Sequence, residues 1–182
     1  MTTTPEDVIA FWREAGPDVW FTEDAEFDRR FRERFAEAHA AAARGELADW
    51  QKTATGALAL VILLDQYPRN AFRGSARMYA TDSMAREVAE WAIDRGYDRQ
   101  VDLALRAFFV LPFEHSESLA DQDRGVAMAR QLGEDSLTYL PYALQHRDII
   151  RRFGRFPHRN PILGRATTEE EQHFLDEGGF SG

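Results

Sequence analysis

Cysteine is missing from the 182-residue chain, which excludes disulfides, thiolate metal ligands and cysteine nucleophiles. Lysine is nearly missing too: Lys52 stands alone, so the positive charge is almost entirely arginine. No apolar run is longer than Ala57–Leu64, far short of the roughly 20 residues a bilayer-spanning helix needs. The start, Met1-Thr2-Thr3-Thr4-Pro5-Glu6-Asp7, has neither a basic segment nor an apolar stretch of the signal-peptide kind, so a cytoplasmic protein without membrane contact is expected. A Gly-rich phosphate loop, a nucleophile elbow and a His-Glu-x-x-His pair are absent as well, so no cofactor and no metal is implied. A net charge of −9 leaves no surplus of cations for general nucleic-acid binding.

What remains is ample for a core: 44% of the residues are hydrophobic and 12% aromatic, and residues 1–182 read as a single domain. Apolar residues recur at three- and four-residue spacing with little β-type alternation, which defines an all-α protein of about seven to nine antiparallel helices. Thr4-Pro5-Glu6-Asp7 opens a helix with Val8, Ile9, Phe11 and Trp12 inward, ending near Gly16. Asp24 caps a second helix whose Phe27, Phe31 and Phe35 share one face. A third, centred on Leu58–Leu64, is expected to break at Pro68. Further helices are expected up to Asp94, with Met84, Val88 and Trp91 buried, and from Arg99 to Val110, ended by Pro112. Others run from Leu119 to Leu132, from Asp135 or Ser136 to Phe153, and from the capping-box segment Thr167-Thr168-Glu169-Glu170.

The unusual polar residues collect at three of these helix exits. The first reads Asp65-Gln66-Tyr67-Pro68-Arg69-Asn70 and continues to Arg73; the last reads Arg155-Phe156-Pro157-His158-Arg159-Asn160. Both carry aromatic-Pro-Arg-Asn, the second with His158 inserted, and a turn by itself does not call for Arg and Asn beside the Pro twice. Guanidinium forks bind carboxylate or phosphate bidentately, and a neighbouring Asn orients such a ligand. Asp65, Arg69, Asn70, Arg73, Arg155, His158, Arg159 and Asn160 are therefore candidate ligand-binding residues. Between the two motifs lies Glu114-His115-Ser116-Glu117. It makes His115 a candidate general acid or base with the carboxylate of Glu117 beside it as catalytic partner and His146 or His158 as counterpart. An equally available reading has the arginines bonding carbonyls at helix C-termini, as internal staples.

Three blocks, taken together, resemble the bacterial family catalogued as domain of unknown function 924. They are Leu64-Asp65-Gln66-Tyr67-Pro68-Arg69-Asn70 with Phe72-Arg73-Gly74; Leu111-Pro112-Phe113-Glu114-His115-Ser116-Glu117 with Gln122; and His146 followed by Arg152-Phe153-Gly154-Arg155-Phe156-Pro157-His158-Arg159-Asn160 with Leu163-Gly164-Arg165 and Glu170. The likeness runs over nearly the whole chain. It implies stacked helix pairs of tetratricopeptide-like fold, and it carries no reaction and no catalytic residue. Two functions stay open from the residues alone. One is a small anionic ligand held by the helix-exit loops, with acid/base catalysis as an option; the other is an interaction module taking a peptide on a concave helical face. Whether the protein is an enzyme, and its oligomeric state, are not determined by these patterns.

Overall fold

The computed structural model describes residues 3–181, with 133–138 described by backbone alone. Every regular element among the described residues is helical, so the protein is all-α. They fall into two compact units, one within Met1–Arg73 and Arg77–Pro112, the other within Gly74–Ala76 and Phe113–Gly182.

The first unit begins as its sequence dictates. Thr4 and Asp7 exchange hydrogen bonds in a capping box that opens α1 (Pro5–Ala15), and Gly16, at φ +75°, closes it. Val8, Ile9, Phe11 and Trp12 form its buried face. After the short α2 (Pro17–Trp20), the Asp24 carboxylate caps α3 (Ala25–Ala43) by accepting from the Glu26 and Phe27 N–H groups. Phe27, Phe31 and Phe35 then pack against Phe11 with ring centroids 5.3–5.4 Å apart. Such pairs add about 0.5–1.5 kcal/mol each beyond the area they bury.

The break expected at Pro68 does not occur. α4 (Ala54–Val61) runs through a π-helical turn, Ile62–Gln66, into α5 (Tyr67–Ala71), and the Tyr67 N–H reaches back five residues to the Ile62 carbonyl. A proline inside a helix leaves carbonyls without their usual donors. Here side chains supply donors: His39 Nδ1 meets Leu63 O at 2.9 Å, the Thr81 hydroxyl donates to Leu64 O at 2.5 Å, and Arg69 Nη1 donates to Asp65 O at 2.7 Å. The wider turn and these donors let the helix pass through Pro68.

α6 (Asp82–Asp94) buries Ala85, Ala89 and Ala92, small residues that let it close on α4. Met84, Val88 and Trp91 are not its buried face; they are half-buried and line an open apolar groove with Leu47, Leu60 and Leu64. The single helix expected from Arg99 to Val110 is also corrected. It is a 3-10 turn at Tyr97–Gln100, then α7 (Leu103–Arg106), then a second 3-10 turn at Ala107–Phe109. The tighter turns change the phase of the apolar residues, burying Leu105, Phe108 and Phe109 but leaving Leu103 48% exposed. Pro112, expected to end a helix, lies in the first turn of α8 (Leu111–Glu114), where a missing N–H is harmless.

The second unit takes the last two residues of α8. Ser118 caps α9 (Leu119–Ala129), a 3-10 stretch follows at Arg130–Asp135, and α10 (Ser136–Phe153) packs back along α9. Gly154, at φ +69°, ends α10 with its N–H on Ile150 O at 2.8 Å. Ile149, Ile150 and Phe156 make a small core ringed by Phe153, Phe174 and Phe180. Thr168 and Glu171 form the capping box of α11 (Glu169–Asp176). No helix among the described residues is long and apolar enough to cross a membrane.

Candidate functional site

In the first unit the Pro-Arg-Asn segment belongs to a helix interior, and its polar groups are directed at protein partners. Asp65 is fully buried and lies 3.1 Å from Arg69 Nη1. Asp82 takes both ends of the same guanidinium at 2.9 and 3.0 Å. Burial opposes the Arg69 charge, but Asp65 and Asp82 outweigh it and hold the group firmly protonated. One turn on, Asn70 Nδ2 and Arg73 Nε both donate to the Asp28 carboxylate of α3, each at 2.7 Å. Asp65, Arg69, Asn70 and Arg73 are thus engaged with protein partners: Arg69 reaches Asp82 at the start of α6, Asn70 and Arg73 reach Asp28 of α3, and Asp65 faces Arg69 within the helical run.

The second motif, at residues 155–160, opens the loop between α10 and α11, where two of its polar residues, Arg155 and Asn160, join a connected network. Arg155 places Nε and Nη2 on the Glu171 carboxylate at 2.6 and 2.8 Å. Glu171 also accepts from the Thr168 N–H and from Asn160 Nδ2. Asn160, with no exposed surface, accepts in turn from Arg165 Nε at 2.9 Å. Arg165 grips Glu117 at 2.7 and 2.9 Å, and Glu117 accepts the Phe156 N–H at 2.8 Å. The hydrogen bonds from Arg155, acting against some burial, hold the Glu171 carboxyl down at about 2. Burial works against the Glu117 charge as well, but Arg165 and the Phe156 N–H hold its carboxyl below the usual range. Glu117 is therefore occupied in fixing the loop, and both its oxygens are spent.

Within this frame four side chains surround Phe156 and its neighbours. Arg159, 6% exposed, lays its guanidinium over the Phe156 ring at 4.4 Å and donates to His115 O at 3.0 Å. His146, delivered by α10 and 9% exposed, stands edge-to-face with Phe156 at 5.5 Å. His158 approaches the same ring at 5.6 Å. The Glu114 carboxylate, buried, lies 3.7 Å from His146 Nδ1, longer than a hydrogen bond. Burial is the main reason the His146 imidazolium is disfavoured, with His115 and Arg159 adding to it, and its pKa falls to about 3. For His158 burial again leads and Arg159 adds, giving about 4. Both rings are neutral at pH 7, and the permanent charge of Arg159 opposes the protonation of each. Their Nδ1 atoms, and Oε1 of the fully buried Gln122, are without a hydrogen-bond partner among the described residues. Gln122 spends its amide nitrogen on the Glu114 and Ser116 carbonyls, which fixes the His115 segment. Among the described residues, no group of three or more His, Asp and Glu side chains is placed to hold a metal ion.

The expected residues His115, Glu117, His146, Arg155, His158, Arg159 and Asn160 all fall in this one unit. Not anticipated were Phe156 as the ring they gather on, Gln122 and Glu171 as fixing residues, and Phe180, which touches both His146 and His158. Glu171 had a sequence signal in the Thr168-x-x-Glu171 spacing of a capping box; Phe180 had none beyond the Gly178-Gly179 pair before it.

The fold and this cluster define an all-helical protein with a buried histidine and arginine niche. The chain belongs to the family of bacterial proteins of unknown function DUF924, which it matches over residues 8–179. It is similar to a solved structure from Agrobacterium tumefaciens, a protein of unknown function designated ATU0120, at 54% identity and a TM-score of 0.92. That match covers 96% of this chain and 97% of the other. No curated protein matches it.

Proposed function

We propose that the protein binds a small anionic ligand in the second unit, at the niche formed by His115, His146, His158 and Arg159. The observation that carries this reading is the gathering of two imidazoles, His146 buried and His158 half-buried, and one guanidinium around Phe156, with both Nδ1 atoms shielded from solvent and without hydrogen-bond partners among the described residues. Buried polar atoms are normally satisfied, and exceptions concentrate where a ligand or ordered water completes them. An anion within about 4–6 Å favours the charged form of a histidine by roughly 1–3 pKa units. It would thus offset the effect of Arg159 and bring His146 and His158 toward the range where an imidazole exchanges protons efficiently. On this reading the niche is a poor acid or base when empty and a better one when occupied, so catalysis is an option that the ligand itself would open. Arg155, Asn160 and Glu117 support the loop that presents Arg159. Asp65, Arg69, Asn70 and Arg73 act as internal staples of the first unit rather than as ligand groups.

The test is a thermal-shift and calorimetric series with inorganic phosphate, sulfate, small carboxylates and nucleotides. A ligand at 100 times its dissociation constant stabilises by about 2.7 kcal/mol. The expected outcome is a shift with at least one anion that disappears in Arg159→Gln, each protein being compared with its own ligand-free melting temperature. Equal shifts in both proteins, or none in the wild type, would refute the reading.

A second reading, a tetratricopeptide-like module that captures a peptide, is favoured by the way α9 and α10, neighbours in sequence, pack along each other as a helix pair. Its expected signature is saturable binding of acidic peptides that inorganic phosphate does not displace. Both readings place the protein in the cytoplasm as a single domain.

A further inference from the structure

The end of α11 is shaped by its glycines. The Gly178 N–H bonds Leu175 O at 3.1 Å, the Gly179 N–H bonds Phe174 O at 2.9 Å, and Gly178 adopts φ +81°: this is a Schellman closure. A side chain at Gly179 would meet Phe174 O at 2.5 Å and two Phe174 ring carbons at 2.6 Å, so only glycine fits there. The closure turns the chain so that Phe180 lies across the histidine pair, edge-to-face with His146 at 4.6 Å and with His158 at 5.2 Å. Among the described residues no backbone hydrogen bond holds residues 180–181 beyond this point. Phe180 stays in place through ring contacts with the two histidines and through packing on the core of Ile149, Ile150 and Phe156. A segment fixed at its base by two backbone bonds and at its tip by one half-buried ring belongs to the part of a fold that opens most easily.

We propose that residues 178–181 form a strap hinged at Gly178 and Gly179, with Phe180 as the removable wall over His146 and His158, so that a ligand reaches the imidazoles only when the strap swings aside. The idea rests on the histidine niche being the ligand site. Its first test does not. Diethyl pyrocarbonate acylates accessible neutral imidazoles, and peptide mass spectrometry reads each histidine separately. In the wild type His146 and His158 should react at least ten times more slowly than His173, which is exposed on α11. In Phe180→Ala their rates should rise at least fivefold, with His39 of the first unit unchanged. Phe180→Tyr should restore slow reaction. Should Phe180→Ala accelerate His39 as well, showing general loosening, Phe180→Leu takes its place under the same criterion. Unchanged rates at His146 and His158 in a folded variant would overturn the strap.

A second experiment uses the absence of cysteine: Ser181→Cys carries a spin label at one site. Titrated with inorganic phosphate, with calorimetry on the same sample, the label should gain a mobile component as phosphate binds. Binding without mobilisation overturns the strap and leaves the ligand site standing. Faster histidine acylation in Phe180→Ala together with no heat from phosphate keeps the strap and removes phosphate as a ligand.

Discussion

Arg69 and Arg159 sit in the same short motif and are given different tasks by what surrounds them. Arg69 bridges Asp65, Asp82 and a helical carbonyl, and its side chain is 15% exposed, so removing it takes a cation away from two carboxylates that have little water. Arg69→Ala should cost about 3–5 kcal/mol, the range for breaking a buried pair, read as a lowered urea midpoint at constant slope. The histidines set a pH limit. His146 and His158 have folded pKa values of about 3 and about 4, below the 6.5 of an unfolded chain, so their protonation favours unfolding. Stability from this source is complete above pH 6.5 and is lost as pH falls through 6.5 toward 4, at about 1.4 kcal/mol per pH unit for each ring. His146→Gln should roughly halve the slope of stability against pH between 6 and 4.5; an unchanged slope would show that other groups set it. At this scale the sequence was legible where partners are close. Thr4, Asp24 and Thr168 are caps whose side chains accept from backbone N–H groups two or three residues on. Glu117 stands two residues from His115 in sequence, whereas Arg165, the partner that grips its carboxylate, is 48 residues away.

Among the elements, the continuous helical run over residues 54–71 departs furthest from local rules. Its centre is legible as an apolar helix, and Pro68 correctly signals trouble. What could not be read is that the compensating donors lie in α3 and just before α6. Thr81→Val keeps the shape but leaves Leu64 O without its donor and should cost about 1–3 kcal/mol. Pro68→Ala supplies an N–H near the same carbonyl, so the Thr81→Val penalty should shrink by about half in the Pro68→Ala background. Simple additivity in that cycle would mean that the two groups do not share the carbonyl. The α6 register was misread for a related reason. Met84, Val88 and Trp91 are the larger residues, but a helix that approaches α4 closely must turn its alanines inward.

For the molecule as a whole, an acidic chain that keeps an arginine inside a histidine niche should bind its anion against the background field of −9, so the affinity should rise with moderate salt rather than fall. Weakening between about 50 and 200 mM salt would point to an exposed cationic surface instead. The four tryptophans, Trp12, Trp20, Trp50 and Trp91, all lie in the first unit, while His115, His146, His158 and His173 lie in the second. Fluorescence and the proton resonances of these four histidines, His39 of the first unit being set aside, therefore report separately on the two units. If residues 1–182 unfold as one domain, the two signals should change at the same temperature. The π-helical turn bears on how that transition is crossed in the other direction. His39 and Thr81 lie 24 and 17 residues from the carbonyls they satisfy, so residues 54–71 cannot finish their own helix. The most apolar stretch of the chain, which by composition looks like the place where folding starts, has a middle turn that can close only after α3 and the Thr81 segment arrive. The Tyr67 amide should accordingly be among the last to gain protection in pulse-labelled refolding.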